Sequence, residues 1–75
     1  MVNIMFAMEY KKIGIKVLAS RRLKGFTQKK LSELSGVSRP RISDIERGKG
    51  PYNIESLMLI CKALEIDMQT LFKDD

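Results

Sequence analysis

Apolar residues recur three and four positions apart along most of the chain, and no stretch alternates apolar and polar as a half-buried strand does. From about Glu9 to Lys24, Ile13, Val17 and Leu18 fall at helical spacing, with Arg21 continuing the stripe of Ile13 and Val17 and Gly14 interrupting it. Gly25 ends this segment as a residue free to take positive φ, and Thr27 is placed to cap the next with its hydroxyl. A short second helix is expected over Gln28–Ser35, presenting Leu31 and Leu34 to a core. Gly36 supplies a tight turn, Val37 follows, and Ser38 caps a third helix from Arg39 to about Arg47, with Pro40 tolerated in its first turn. That helix offers only Ile42 and Ile45 to the interior before Gly48, Gly50 and Pro51 close it.

Asn53 then caps a fourth helix to about Leu64, and Asp67 a short fifth to about Lys73. In the fourth, Ile54, Leu57, Ile60, Cys61 and Leu64 form one apolar face, yet Leu59 and Ala63 lie nearly opposite. Such a helix needs cover on two sides. Met68, Leu71 and Phe72 of the fifth extend the second surface, so Leu59, Ala63, Met68 and Phe72 are the expected interface of a symmetric homodimer; cover by the N-terminal segment is the alternative.

With 75 residues, 44% hydrophobic and 31% charged, the chain is one folded domain, of a size that buries only about 60% of its unfolded surface. It has no histidine and one cysteine, which removes Ser-His and Cys-His nucleophile pairs, histidine proton shuttles and ordinary zinc sites. We expect no enzyme, no cofactor, no metal and no small-molecule ligand. Cys61, on an apolar face, reads as a small core residue, and one cysteine cannot form an internal disulfide, so a cytoplasmic setting is the simpler expectation. Met1 to Met8 is too short for a signal-peptide core or a membrane span. Residues 1–8 read as an extension, either dispensable, with Met5 or Met8 as alternative starts, or an arm packing on a partner; residues 9–73 form the domain. The chain's end at Asp74-Asp75 fits either a whole protein or one domain of a longer one.

Charge sharpens the picture. Residues 1–50 hold 12 Lys/Arg and 4 Asp/Glu, a balance of +8, whereas residues 51–75 hold 2 and 5, a balance of −3. A basic patch on part of a small domain suits a polyanion. Leu31-Ser32, Gly36-Val37, Ile42 and Ile45 have the spacing of a helix-turn-helix, two short helices joined by a glycine turn. Helix N-termini prefer acidic residues by about 0.3–1 kcal/mol each, yet the second helix opens on Lys29 and Lys30 and the third on Arg39 and Arg41. Cations at two neighbouring helix starts make sense where backbone N–H groups, helix dipole and side-chain charge act on the same phosphates.

The stretch Arg21 to Leu71 resembles the lambda-repressor/Cro-type helix-turn-helix family, also called XRE-type regulators. The resemblance is carried by Arg21, Gly25-Phe26-Thr27-Gln28, Leu31-Ser32, Gly36-Val37-Ser38, Ile42 to Lys49, Leu57, Ala63-Leu64 and Leu71. It implies an all-α, five-helix fold with the helix-turn-helix at helices two and three, a recognition helix over about Ser38–Arg47, and double-stranded DNA as partner. The family's base-reading positions fall on Arg39, Pro40, Arg41, Ser43 and Asp44. Of these, Arg39 or Arg41 can grip guanine in bidentate fashion, Pro40 departs from the polar residue common there and offers only apolar contact to a thymine methyl, and Asp44 either accepts from a cytosine amino group or holds an arginine in position. Gln28 resembles a glutamine that bonds a phosphate, and Thr27, Lys29, Ser38 and Lys49 are further phosphate candidates; Lys30 is equally a solvated lysine, and Tyr52 either a phosphate donor or an ordinary loop aromatic. Arg21 and Glu46 match a family ion pair; Arg21 continues an apolar stripe and Glu46 neighbours Ile45, so we expect both partly buried and structural.

The expectation is a DNA-binding transcriptional regulator, a homodimer on a palindromic operator that acts by occupancy and controls its own gene. The alternative is a protein-protein adaptor or antitoxin-type module whose fourth and fifth helices bind another protein.

Overall fold

The computed structural model describes residues 4–73; the first three residues of the expected extension, and Asp74-Asp75, lie outside the described residues. Five helices follow in order: α1 (Ile4–Leu23), α2 (Gln28–Ser35), α3 (Arg39–Glu46), α4 (Ile54–Leu64) and α5 (Met68–Phe72). No strand occurs among the described residues.

The four expected caps form. Thr27 Oγ1 accepts from the backbone N–H of Lys30 at 3.0 Å, Ser38 Oγ from Arg41 at 3.3 Å, Asn53 Oδ1 from Ser56 at 2.7 Å and Asp67 Oδ1 from Gln69 at 3.1 Å. Each satisfies a donor that the first helical turn leaves without a partner. Gly36, the turn of the helix-turn-helix, has φ +78° and donates its N–H to the Ser32 carbonyl, a left-handed C-terminal cap.

α1 is already helical at Ile4, the first described residue, ahead of the expected Glu9. The start of charge at Glu9 is not a helix signal, and nothing between Ile4 and Met8 breaks a helix. Phe6 and Tyr10 extend the face of Ile13 and Val17 by two turns.

The core joins Ile13 and Val17 of α1, Leu31, Val37, Ile42 and Ile45 of the helix-turn-helix, Leu57, Ile60, Cys61 and Leu64 of α4, and Leu71 of α5. Burial pushes the Cys61 thiol up, and the nearby Asp67 charge adds to this, in keeping with a packing role. Two expected core residues are displaced. Leu34 is 49% exposed, because α2 buries the i, i+4 pair Leu31 and Ser35, and the Ser35 hydroxyl is satisfied by the N–H of Val37 at 3.1 Å. Ile54, 57% exposed, lies in the first turn of α4, where Ser56 is the buried residue.

Gly14 sets the crossing of α1 and α3. A Cβ built there would stand 2.3 Å from the Ile45 carbonyl oxygen and 2.8 Å from that of Glu46, so the two backbones touch where any side chain would separate them. Next to this crossing the Tyr52 hydroxyl lies 3.1 Å from the carbonyl oxygens of both Tyr10 and Ile45, and its one proton is donated to either. The rings of Tyr10 and Tyr52 pack 5.2 Å apart at 59°. Tyr52 is therefore a latch between α1 and the end of α3, with its hydroxyl turned inward rather than toward a phosphate.

Two stability predictions follow from this crossing. Gly14→Ala gains about 1 kcal/mol in helix propensity but forces two backbones apart, and overpacking costs about 1–3 kcal/mol or more, so urea denaturation should report a net loss. Burial, with smaller contributions from Tyr10 and Asp44, raises the Tyr52 pKa to about 12. The folded chain keeps this proton while the unfolded chain releases it from pH 10 upward, so this contribution is complete below pH 10 and lost as pH rises toward 12. Denaturation at several pH values should show that alkaline loss in the wild type and a shallower one in Tyr52→Phe.

Candidate nucleic-acid interface

The helix-turn-helix is fixed to the rest of the domain by one charged node. Arg21, near the end of α1, donates from Nε to Glu46 Oε2 at 2.6 Å, from Nη2 to Glu46 Oε1 at 3.0 Å and from Nη1 to the Phe26 carbonyl at 2.7 Å. Gln28, the first residue of α2, donates from Nε2 to the same Glu46 Oε1 at 3.0 Å. The side chains of Arg21 and Glu46 are 11% and 5% exposed. The hydrogen bond to Glu46 raises the Arg21 pKa above its ordinary value, against a lowering by burial and with a further Coulombic contribution from Glu46. Bidentate geometry and the two added bonds are what such a pair needs to offset its desolvation. Among the described residues no buried side-chain nitrogen or oxygen lacks a partner.

This node brings the N-terminus of α2 beside the end of α3. The first turns of α2 and α3 hold no acidic residue, whereas α4 opens on Glu55. Lys29, Lys30, Arg39 and Arg41 are all exposed. Thr27 and Ser38 accept from the backbone with their hydroxyl oxygens, which leaves each hydroxyl proton free to donate outward. Gln28, half-buried, has one amide N–H committed to Glu46 and a second still available.

A shallow cleft lies on each side of α3. One is lined by Gln28, Arg39, Pro40 and Ser43. The other, about 300 Å³, is lined by Ser38, Pro40, Arg41, Asp44 and Lys49 on the α3 side and by Tyr52, Asn53 and Ser56 toward α4. All five residues expected to read bases thus line one or both clefts, joined by Gln28, Ser38 and Lys49; Thr27 and Lys29 lie outside both linings, at the exposed start of α2. Asp44 Oδ1 accepts from Arg47 Nη2 at 3.0 Å, one turn along the helix. Arg47 itself lines neither cleft.

Of the expected interface residues on α4 and α5, Phe72 is 49% exposed and Leu59 is exposed, while Ala63 and Met68 are half-buried against the core. Met68 and Phe72 line one apolar depression with Gln69 and Lys73. α5 turns Leu71 into the core and leaves Phe72 outside. No described helix is long and apolar enough to cross a membrane.

A helix-turn-helix family model, HTH_3, matches residues 18–71. The chain belongs to this family of helix-turn-helix regulators. It is an XRE-type, DNA-binding transcriptional regulator by family, with the five-helix lambda-repressor-like fold. Among solved structures, the restriction-modification controller protein C.AhdI from Aeromonas hydrophila is similar with a TM-score of 0.82 and 29% identity, over 87% of this chain and 98% of that one. The controller protein C.Esp1396I, crystallised as a tetramer with its natural 35 base-pair operator, gives 0.76 and 36%, over 85% and 84%. An HTH_3 family transcriptional regulator from Vibrio cholerae gives 0.83 and 27%, over 89% of this chain and 38% of that one. No curated protein sequence matches significantly.

The two ion pairs that α3 residues make in this HTH_3 domain, Arg21–Glu46 and Arg47–Asp44, should separate cleanly. Glu46→Ala leaves Arg21 buried and unpaired and is expected to cost about 3–5 kcal/mol by urea denaturation. Asp44→Ala breaks an exposed pair of a kind that contributes at most about 1 kcal/mol.

Proposed function

We propose that this chain binds double-stranded DNA sequence-specifically as a homodimer on a palindromic operator, with half-sites about one helical turn, some 34 Å, apart. The observation that carries the reading is the pair of acid-free, cation-bearing helix starts at α2 and α3, with Arg39 and Arg41 of the second lining clefts on the two sides of α3. Such clefts suit the two sugar-phosphate backbones that border a major groove. In this reading Arg39, Pro40, Arg41 and Ser43 meet base edges, with Arg39 and Arg41 as bidentate readers of guanine, and Asp44 either accepts from a cytosine amino group or holds an arginine in position. Thr27, Gln28, Lys29, Ser38 and Lys49 meet phosphates and set the register without carrying sequence information. The operator-bound C.Esp1396I, at 36% identity, supports the DNA partner.

Dimerisation runs through Leu59, Ala63, Met68 and Phe72, which would cover the apolar surface left outside the core of α4 and α5. Regulation is by occupancy, the dimer acting where it sits and according to its own concentration, and we extend this to control of its own gene.

Fluorescence anisotropy of a labelled duplex from upstream of the gene, against a scrambled duplex, tests the proposal. The wild type should prefer the upstream duplex, and Arg39→Ala should lose about 1–3 kcal/mol of that discrimination. Binding that is equal for both duplexes and indifferent to the substitution contradicts it. Sedimentation equilibrium should find a dimer for the wild type and a monomer for Phe72→Glu; a wild-type monomer at all concentrations contradicts the interface.

A further inference from the structure

Pro40, Asp44 and Arg47 stand at i, i+4 and i+7, on one line along α3 opposite the buried Ile42 and Ile45. Arg47 caps α3 with near-helical φ −88° and ψ 3°, so it continues this outward ridge past the last residue of the helix. The ridge is the part of α3 that faces away from the core. Arg47 has no role in the fold comparable to that of Arg21: its side chain is 59% exposed, and its ion pair with Asp44, itself 50% exposed, belongs to the class that adds little stability.

The pair has a clear geometric effect. A guanidinium carries five N–H donors in a rigid fork, and the bond to Asp44 occupies one of them, on Nη2, leaving four outside that bond. Without Asp44, an arginine on a flexible stem attracts any phosphate in any direction. With it, the fork has one direction, and the carboxylate offsets the charge that would otherwise draw every duplex equally. A helix docked in a groove reads bases with its N-terminal residues, so its C-terminal end meets the backbone. Lys49, two residues on, lines the cleft that also holds Arg41 and Asp44.

We propose that Arg47 is a DNA-backbone contact on the outward ridge of α3 and that Asp44 is its positioning residue, the two together favouring the specific site over general binding. The inference rests on the DNA-binding reading above and replaces, for Asp44, a direct contact to a base.

The test is a double-mutant cycle with Arg47→Ala, Asp44→Ala and the double variant. The probes are a duplex selected by the wild type from a randomised pool and a scrambled duplex of the same composition. Arg47→Ala should weaken the selected duplex about tenfold and reduce the slope of log affinity against log salt by about one. Asp44→Ala should lower the ratio of selected to scrambled affinity about tenfold in the wild type and leave it unchanged where Arg47 is already alanine. Two results overturn the inference alone: an Arg47→Ala variant with unaltered affinity and salt slope, or an Asp44→Ala loss of selectivity of equal size in both backgrounds, which makes Asp44 a base reader in its own right. A wild type that selects no sequence from the pool overturns the DNA-binding reading and this inference with it.

Discussion

Four polar groups from separate parts of the chain form one hydrogen-bonded node: Arg21 from α1, the Phe26 carbonyl from the following turn, Gln28 from the start of α2 and Glu46 from the end of α3. Arg21 and Glu46 are too buried to be solvated singly, so each requires the other, and the geometry that satisfies both fixes three helices at once. α3 could not hold this position by apolar packing alone, since it contributes only Ile42 and Ile45 to the core. The close approach at Gly14 and the Tyr52 latch secure the same end of α3 from the other side. α3 is a short segment clamped at its C-terminus by charge, by backbone contact and by a phenol, with the exposed residues of its N-terminal half turned away from these contacts.

That division of labour links packing to function. Interactions that hold α3 are inward and largely at its last turn, whereas the exposed cations, the hydroxyls of Thr27 and Ser38 and the remaining amide N–H of Gln28 are grouped at the starts of α2 and α3. Gln28 belongs to both sets, tying the first turn of α2 to the buried carboxylate while keeping one donor for a ligand. A DNA phosphate bound there would be held by a group whose position is set by the core rather than by a loop.

Much of this was legible in the sequence because it is encoded locally. Each cap is a single side chain acting on a donor two or three residues away, which is why Thr27, Ser38, Asn53 and Asp67 could all be assigned from the chain alone. The helix-turn-helix spacing and the wrongly charged helix starts are equally local. What escaped depends on contacts distant in sequence. Gly14 reads as a weak point in a helix until α3 is laid against it, and Tyr52 reads as a loop aromatic until its two carbonyl acceptors, one of them 42 residues away, are in place. Leu34 was misassigned because an eight-residue helix has only about two turns, too few for its apolar residues to distinguish the buried line from the one beside it. Arg47 was passed over because the family pattern ends its base-reading positions at Asp44.

The central claim is that the charged starts of α2 and α3, held in register by the buried node, form the surface that meets DNA. Backbone amide chemical shifts followed while a DNA duplex is titrated into isotope-labelled protein test this residue by residue. The account predicts the largest shifts at Gln28 to Lys30, at Arg39 and Arg41, and at Lys49, Gly50, Tyr52 and Asn53, with Leu59 to Phe72 little changed. Shifts confined to α4 and α5, or an absence of shifts at the two helix starts while the duplex is bound, would contradict it.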